Sequence, residues 1–310
     1  MILPSLPAAF DGLSVLERGW LSSNNVLLHG RGAGAVLVDS GHSLHADQTL
    51  ALVRQALQGE PLCQIVNTHL HSDHCGGNAA LQRAWNCRIT IPPGQFDAAR
   101  DWEQSELSYQ ASGQTCERFQ PDDSILPGQT LAVGRREWQV LTAPGHDPHS
   151  IVLFDSAQRV LISADALWEN GFGVVFPELD GQQAFDEVAA ALDLIESLDA
   201  LWVIPGHGAP FTDVHQALAR ARRRLAGFVA EPRRHLRHAI RVLVKYHLLE
   251  VQRQRLETFD AWFAAAPLCR AVWERMGEPD GSLGAFGRRT VRELATSGAL
   301  ALRGEEVLNA

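Results

Sequence analysis

Lysine is almost missing from this chain: of 310 residues and 27 basic side chains, only Lys245 is a lysine. The remainder are arginines, a compositional bias that carries no mechanism by itself. Cysteine is also scarce. The five present (Cys63, Cys75, Cys87, Cys116, Cys269) are odd in number and share no short spacing. That excludes a disulfide framework and a thiolate zinc site. No apolar run reaches the roughly 18 residues needed to cross a bilayer, so no membrane partner is expected. Met1 to Phe10 is apolar, but it lacks a basic start and is broken by Pro4 and Pro7. It does not read as a secretory leader, and the cytoplasm is the expected compartment.

What is there reads as an ordinary folded protein, with 45% apolar and 20% charged residues. The length exceeds a typical single domain and predicts a large domain followed by a smaller one. The net charge of −9 hides an asymmetry. Residues 1–215 carry 10 basic against 26 acidic side chains, whereas residues 216–310 carry 17 against 10. An acidic body at 1–215 and a basic tail at 216–310 suggest different tasks, or a contact between them.

Asn25 to His29 and Ala35 to Asp39 are β-rich and separated by glycines, which predicts a hairpin. Apolar residues at 46, 50, 53 and 57 predict a helix. Gln64 to Asn67 reads as a strand running into a histidine-rich loop, followed by a helix through Trp85 and a strand at Arg88 to Ile91. Binding sites in α/β folds favour such strand ends. Residues 94–129, with Phe96, Trp102, Tyr109 and Phe119, read as a helical insertion. Strands are expected at 130–133, 137–142, 150–154, 159–163 and 201–204, with a helix over 184–197. This α/β (α+β) pattern predicts sheet packed on sheet with helices outside. From 216 onward helices dominate. Arg233, Arg237, Arg241 and Lys245 form a basic stripe, Arg288 to Ser297 is a short helix, and a hairpin at 299–308 closes the outline of a winged helix.

Four possible ligands fall within six residues in His69-Leu70-His71-Ser72-Asp73-His74. Buried without a partner they would cost desolvation, and protonated they would repel one another; a cation removes both objections. His146, Asp165 and His207 sit at further predicted strand ends, each preceded by small residues that let backbone approach a crowded centre. Together these seven N/O ligands suffice for two ions with an open position on each. Zinc suits imidazole and carboxylate, as do iron and manganese. Cys75 follows the ligand run and is read as a non-ligand. His29, His42, His45, His215, His235, His238 and His247 are read as ordinary hydrogen-bonded histidines.

Asp39 in Val38-Asp39-Ser40-Gly41, then the HxHxDH run, then His146, Asp165 and His207 in order, closely resemble the metallo-β-lactamase superfamily over residues 24–212. The resemblance implies an αββα sandwich. It implies His69, His71 and His146 on one ion, Asp73, His74 and His207 on a second, and Asp165 bridging both. Asp39 would brace the ligand loop, and His149 would be structural. The cations would activate water to hydroxide for attack on a carbonyl or phosphorus, with Asp73 orienting the nucleophile or relaying a proton.

The text around Thr68 to Asn78 and Thr142 to His146 resembles the glyoxalase II-like thioesterases of that superfamily. The helical tail resembles members with a C-terminal winged helix, which include endoribonucleases and acyl-carrier thioesterases. Trp168, Phe172, Val174, Val175 and Phe176 would form an apolar wall beside the metals and favour a small-molecule acyl substrate. The expected activity is therefore hydrolysis of a carboxylic thioester or ester. An RNA phosphodiesterase using the basic stripe, a β-lactamase and a mononuclear-iron sulfur dioxygenase remain alternatives. Trp262, Phe263 and Trp273 could supply a homodimer contact.

Overall fold

Alternation along short strands decides the architecture. In β1 (Leu13–Leu16), β2 (Asn25–Leu28) and β3 (Ala35–Val38), successive side chains go to opposite faces. Leu13, Val26, Leu28, Val36 and Val38 join one buried cluster, while Leu27 and Leu37 join another. These strands continue into β4 (Leu62–Val66), β5 (Arg88–Ile91) and β6 (Asp123–Ser124), and the six lie in chain order across one sheet. Pairing is antiparallel from β1 to β3 and parallel from β3 to β6. The second sheet holds β7 (Thr130–Val133), β8 (Arg136–Thr142), β9 (Ile151–Asp155), β10 (Val160–Ala164) and β11 (Trp202–Pro205). Within it only β10 and β11 run parallel.

The two inner faces meet through Val26, Val36 and Val66 on one side and Trp138, Leu153 and Ile162 on the other. Each such side chain contributes about 1.5–3 kcal/mol when fully buried. The outer face of the first sheet packs on α1 (Ala46–Leu57) through Val53 and Leu57, and on α3 (Asn78–Trp85) through Leu81. A short α2 (Ser72–Cys75) sits between them in the chain. The result is the expected αββα sandwich. The structure, a computed structural model, describes residues 8–277 and 281–310. Residues 1–7, which hold most of the apolar start, lie outside the described residues.

Three expectations change. Residues 94–129 contain only α4 (Phe96–Asp101) and α5 (Tyr109–Ser112) as α-helix, because no apolar period is sustained there. Trp102 ends α4 in a left-handed conformation, and its ring meets Tyr109 and Phe119 over the core of the first sheet. Second, the change of composition at 216 falls inside a helix. After α6 (Phe185–Ser197) covers the second sheet, α7 (Val214–Ala230) packs beside it in the same core through Ala217, Leu218 and Leu225.

Third, the tail holds more helix than its sequence suggested. It contains α8 (Pro232–Val251), α9 (Leu256–Ala265), α10 (Pro267–Met276) and α11 (Leu283–Thr296). Ser282 caps α11 by accepting from Ala285 N, five residues before Gly287 interrupts its apolar face. A sheet of β12 (Arg253–Arg255), β14 (Glu306–Asn309) and β13 (Leu300–Arg303) closes the region. Phe263 is fully buried in this region's own core, with the partly buried Trp262 and Trp273 packed against it. Among the described residues no helix is long and apolar enough to cross a membrane.

Candidate metal centre

Five strand ends deliver the site to one rim of the sandwich. Asp39 leaves β3, His69 to His74 leave β4, His146 follows β8, Asp165 follows β10 and His207 follows β11. The chain bends sharply at two of these exits. Asp39 and Ala164 both have positive φ, 57° and 45°, a strained conformation for residues with a side chain. At β10 the strain coincides with a register shift between Ile162 and Ala164, which aims Asp165 across the rim. Two glycines let backbone come close. A Cβ at Gly206 would lie 2.1 Å from Asp165 Oδ1, and one at Gly173 would lie 2.3 Å from His146 Nδ1.

All seven predicted ligands come together and are buried. One set is His69, His71 and His146; the other is Asp73, His74, Asp165 and His207, with donor atoms in each set within 4.8 Å of one another. Asp165 faces both sets: its Oδ2 is 3.4 Å from His146 Nε2, and its Oδ1 is 3.4 Å from His74 Nε2. Cys75 is not among them. Its thiol meets Leu70 O and the Tyr109 hydroxyl, away from the cluster. His149 lies against Gly94, also outside the cluster.

Hydrogen bonding around the rings tests whether a cation fits. His74 Nδ1 lies 2.7 Å from Asp39 Oδ2, so it carries the proton, and Nε2 is an acceptor. That Nε2 is buried with no hydrogen-bond partner. His146 Nδ1 donates to Val174 O at 2.6 Å, so its Nε2 is an acceptor too. It points at His71 Nδ1 from 2.8 Å, which itself lies 3.1 Å from His69 Nε2. One proton on His71 Nδ1 cannot serve both contacts, so hydrogen bonding alone leaves lone pairs in these sets without a donor of their own. A cation at each convergence satisfies them, and the outward nitrogens of His74 and His146 already have the partners that fix a ligand's tautomer.

The charges agree with this reading. Burial, then the neighbouring histidines, hold His69 well below the usual imidazole range, and the same causes bring His71 down to about 4. Burial alone would raise Asp73, yet His74 and His207 draw it down to about 2. Asp165 goes well below the carboxylate range against its burial, chiefly through His74 and His207. Neutral rings and ionised carboxylates are the forms that bind a metal. His74 is the exception: despite burial, Asp39, Asp165 and Asp73 raise it, so its inner nitrogen would release a proton to an incoming cation.

Asp39 stands behind the ligand loop and meets the cluster only through the outward nitrogen of His74. It accepts from Thr68 N and Thr68 Oγ1, both at 2.8 Å, and from His74. Ser40, Asn67 and Asn78 add a buried network behind the same loop.

A cavity of about 530 Å³ opens over the cluster, with His71, Asp73, His146, Asp165 and His207 in its floor. Of the predicted apolar wall, Trp168, Val174 and Phe176 line it, whereas Phe172 and Val175 turn into the core beneath. Several lining residues carried no sequence signal. Trp20, 61% exposed, stacks on His207 with ring centroids 5.4 Å apart, and Trp168 meets the same ring edge-on. Tyr246 on α8 places its hydroxyl 3.1 Å from Ser72 Oγ in the ligand loop. The basic stripe divides. Arg237 pairs with Glu231, whereas Arg241 and Lys245 line the cavity, Lys245 also donating to Ala299 O and Asn309 Oδ1. His238, expected to be ordinary, lines it too.

A family model described as the metallo-beta-lactamase superfamily matches residues 18–207. A hydroxyacylglutathione hydrolase of Rhodopseudomonas palustris is 29% identical over 151 residues, 48% of this chain and 50% of its own. The chain thus spans about half the length of the hydroxyacylglutathione hydrolases it matches. The crystal structure of a metallo-beta-lactamase family protein from Thermus thermophilus aligns over 98% of this chain and 100% of that one, at 21% identity and TM-score 0.57. A di-iron-bound form of TTHA1623 is 26% identical with TM-score 0.55, covering 67% of this chain and 98% of its own.

Proposed function

Because the chain belongs to the metallo-beta-lactamase superfamily, we propose that it is a dinuclear metal hydrolase of carboxylic thioesters or esters. His69, His71 and His146 would hold one divalent ion, and Asp73, His74 and His207 a second, with Asp165 shared between them. A bound pair of cations supplies a Lewis acid for the substrate carbonyl and brings the pKa of water from 15.7 towards about 7. The observation that carries the reading is the pair of buried donor sets opening into a cavity whose near wall is apolar and aromatic.

The side chains have separable tasks. Asp73, ionised down to about pH 2 and within the floor, would orient an attacking water by accepting a hydrogen bond from it. Asp39 keeps His74 in the tautomer that turns Nε2 inward. Trp168, Val174 and Phe176 exclude water from an acyl chain. The similarity to hydroxyacylglutathione hydrolases supports thioester cleavage. Zinc is the ion we favour, with iron the alternative that the di-iron neighbour supports. The last three helices with their three-stranded sheet we read as winged-helix-like. The acidic body, with 26 acidic against 10 basic side chains over residues 1–215, favours a small-molecule substrate over RNA.

The test is metal analysis of freshly purified protein, followed by a panel of acyl thioesters, a phosphodiester, a chromogenic lactam and a persulfide. Two ions per chain and preferred turnover of thioesters are expected. One iron with oxygen-dependent persulfide turnover, or preferred phosphodiester or lactam cleavage, would overturn the assignment.

A further inference from the structure

The ligand cluster supplies only part of the cavity lining. The helices α7 and α8 add Arg224, His238, Arg241 and Lys245 to it. The polar contacts of the first three are few. Arg224 is half-buried, lies over the Phe172 ring and donates to Phe172 O at 3.3 Å; it has no ion pair among the described residues. Arg241 has Glu293 at 4.0 Å, the outer limit of an ion pair. His238 stacks on Phe228. Burial first, then the charges of Arg224 and Arg241, push His238 down to about 4, so its ring stands neutral beside the two guanidinium groups. Glu169 is the further carboxylate in this cavity outside the metal cluster. Two guanidinium groups gathered in a partly desolvated wall form a site for an anion, which arginine binds through paired N–H donors.

Helix geometry gives the separation. Tyr246 meets Ser72 of the ligand loop, which marks where α8 passes the metal centre. Arg241 and His238 lie five and eight residues earlier on the same helix. At 1.5 Å per residue they stand about 8 and 12 Å further along its axis.

We propose that Arg224, His238 and Arg241 form an anion subsite, so that the substrate is an acyl thioester or ester bearing a carboxylate or phosphate about 8 to 12 Å from its scissile carbonyl. The position of that carbonyl rests on the hydrolase reading above; the subsite itself does not. The substrate would thus be held at two ends, by its anionic terminus at α8 and by its carbonyl over the metals. The acyl or leaving arm between them would lie against Phe176 and Val174.

Two matched pairs of probes separate the sources of charge: S-acyl pantetheine against S-acyl 4′-phosphopantetheine, and S-acyl glutathione against its dimethyl ester. Hydrolysis is measured on each, and calorimetric binding on the corresponding inert S-alkyl thioethers. At least one charged member is expected to bind and to show a KM at least tenfold lower than its neutral partner, about 1.4 kcal/mol. Arg241→Glu should erase that preference, leaving the charged and neutral members of the pair with KM values within twofold of each other. Arg224→Gln should reduce the preference in the same direction. Preference for phosphate alone or carboxylate alone identifies the source. Equal binding of charged and neutral thioethers, or equal loss for both in Arg241→Glu, would refute the subsite even if thioesters are cleaved. Charge-selective thioether binding with no ester or thioester cleaved would leave the subsite standing and remove the hydrolase reading.

Discussion

A carboxylate that accepts from Thr68 N, Thr68 Oγ1 and His74 Nδ1 has its lone pairs committed, so Asp39 shapes the centre without reaching it. Asp39→Asn would keep the size and present an amide to His74, removing the acceptor that holds the Nδ1 proton. The expected result is a 10- to 100-fold loss of metal affinity, about what removal of such a ligand partner costs, in chelator competition. Unchanged affinity would make Asp39 a plain strand-end residue. His235 offers a test away from the metals. Burial brings it down to about 3, and its Nε2 accepts from Val175 N, which requires a neutral ring. In the unfolded chain the same ring takes a proton below about 6.5. Its contribution is therefore intact above that pH and is lost as pH falls from about 6.5 towards 3, at up to 1.4 kcal/mol per unit. Urea unfolding at pH 7.5 and 5.0 should show a loss of about 2 kcal/mol from this residue. His235→Gln should flatten the pH dependence by that amount, and an unaltered slope would contradict it.

Elements contribute through how closely their ends approach. At the exit of β11, Gly206 stands where a Cβ would overlap Asp165 Oδ1 and press on Ala164. Gly206→Ala should lower metal affinity at least tenfold, read by chelator competition, while the far-ultraviolet circular dichroism stays native. Retained affinity would mean the rim can yield. This closeness was legible in the sequence, since small residues before His146 and His207 only make sense beside a crowded centre. The ligands were legible for a related reason: four fall in one loop, and the rest sit at strand ends that alternation reveals. The rest of the cavity lining was not. Trp20, Arg224, His238 and Tyr246 are scattered over a loop and two helices, and no local spacing marks which face of α7 or α8 meets a pocket. His238 sits among helix positions that read equally well as packing. The extent of α11 was hidden because Gly284 and Gly287 dilute its period.

At the scale of the molecule, the acidic and basic halves are joined by shared burial. Val174 and Leu179, from the stretch after Asp165, belong to the same core as Leu243, Phe259 and Phe263 of the tail. Glu250 of α8 lies 3.0 Å from the fully buried His42 beside the ligand loop, and Tyr246 reaches Ser72. Ions held at the rim should thus stabilise the tail as well as the sandwich, because opening either one exposes the contacts of the other. An ion at 100 times its dissociation constant adds about 2.7 kcal/mol to the native state, so two add roughly 5 kcal/mol. For a chain of this size that corresponds to a rise of roughly 10 °C in the unfolding midpoint. Scanning calorimetry of zinc-loaded and chelator-treated protein should therefore give a single transition that moves upward as a whole. Two transitions, of which zinc shifts only one, would mean that α8 and the helices after it unfold independently of the ligand loop, and that the cavity wall they form is loosely held.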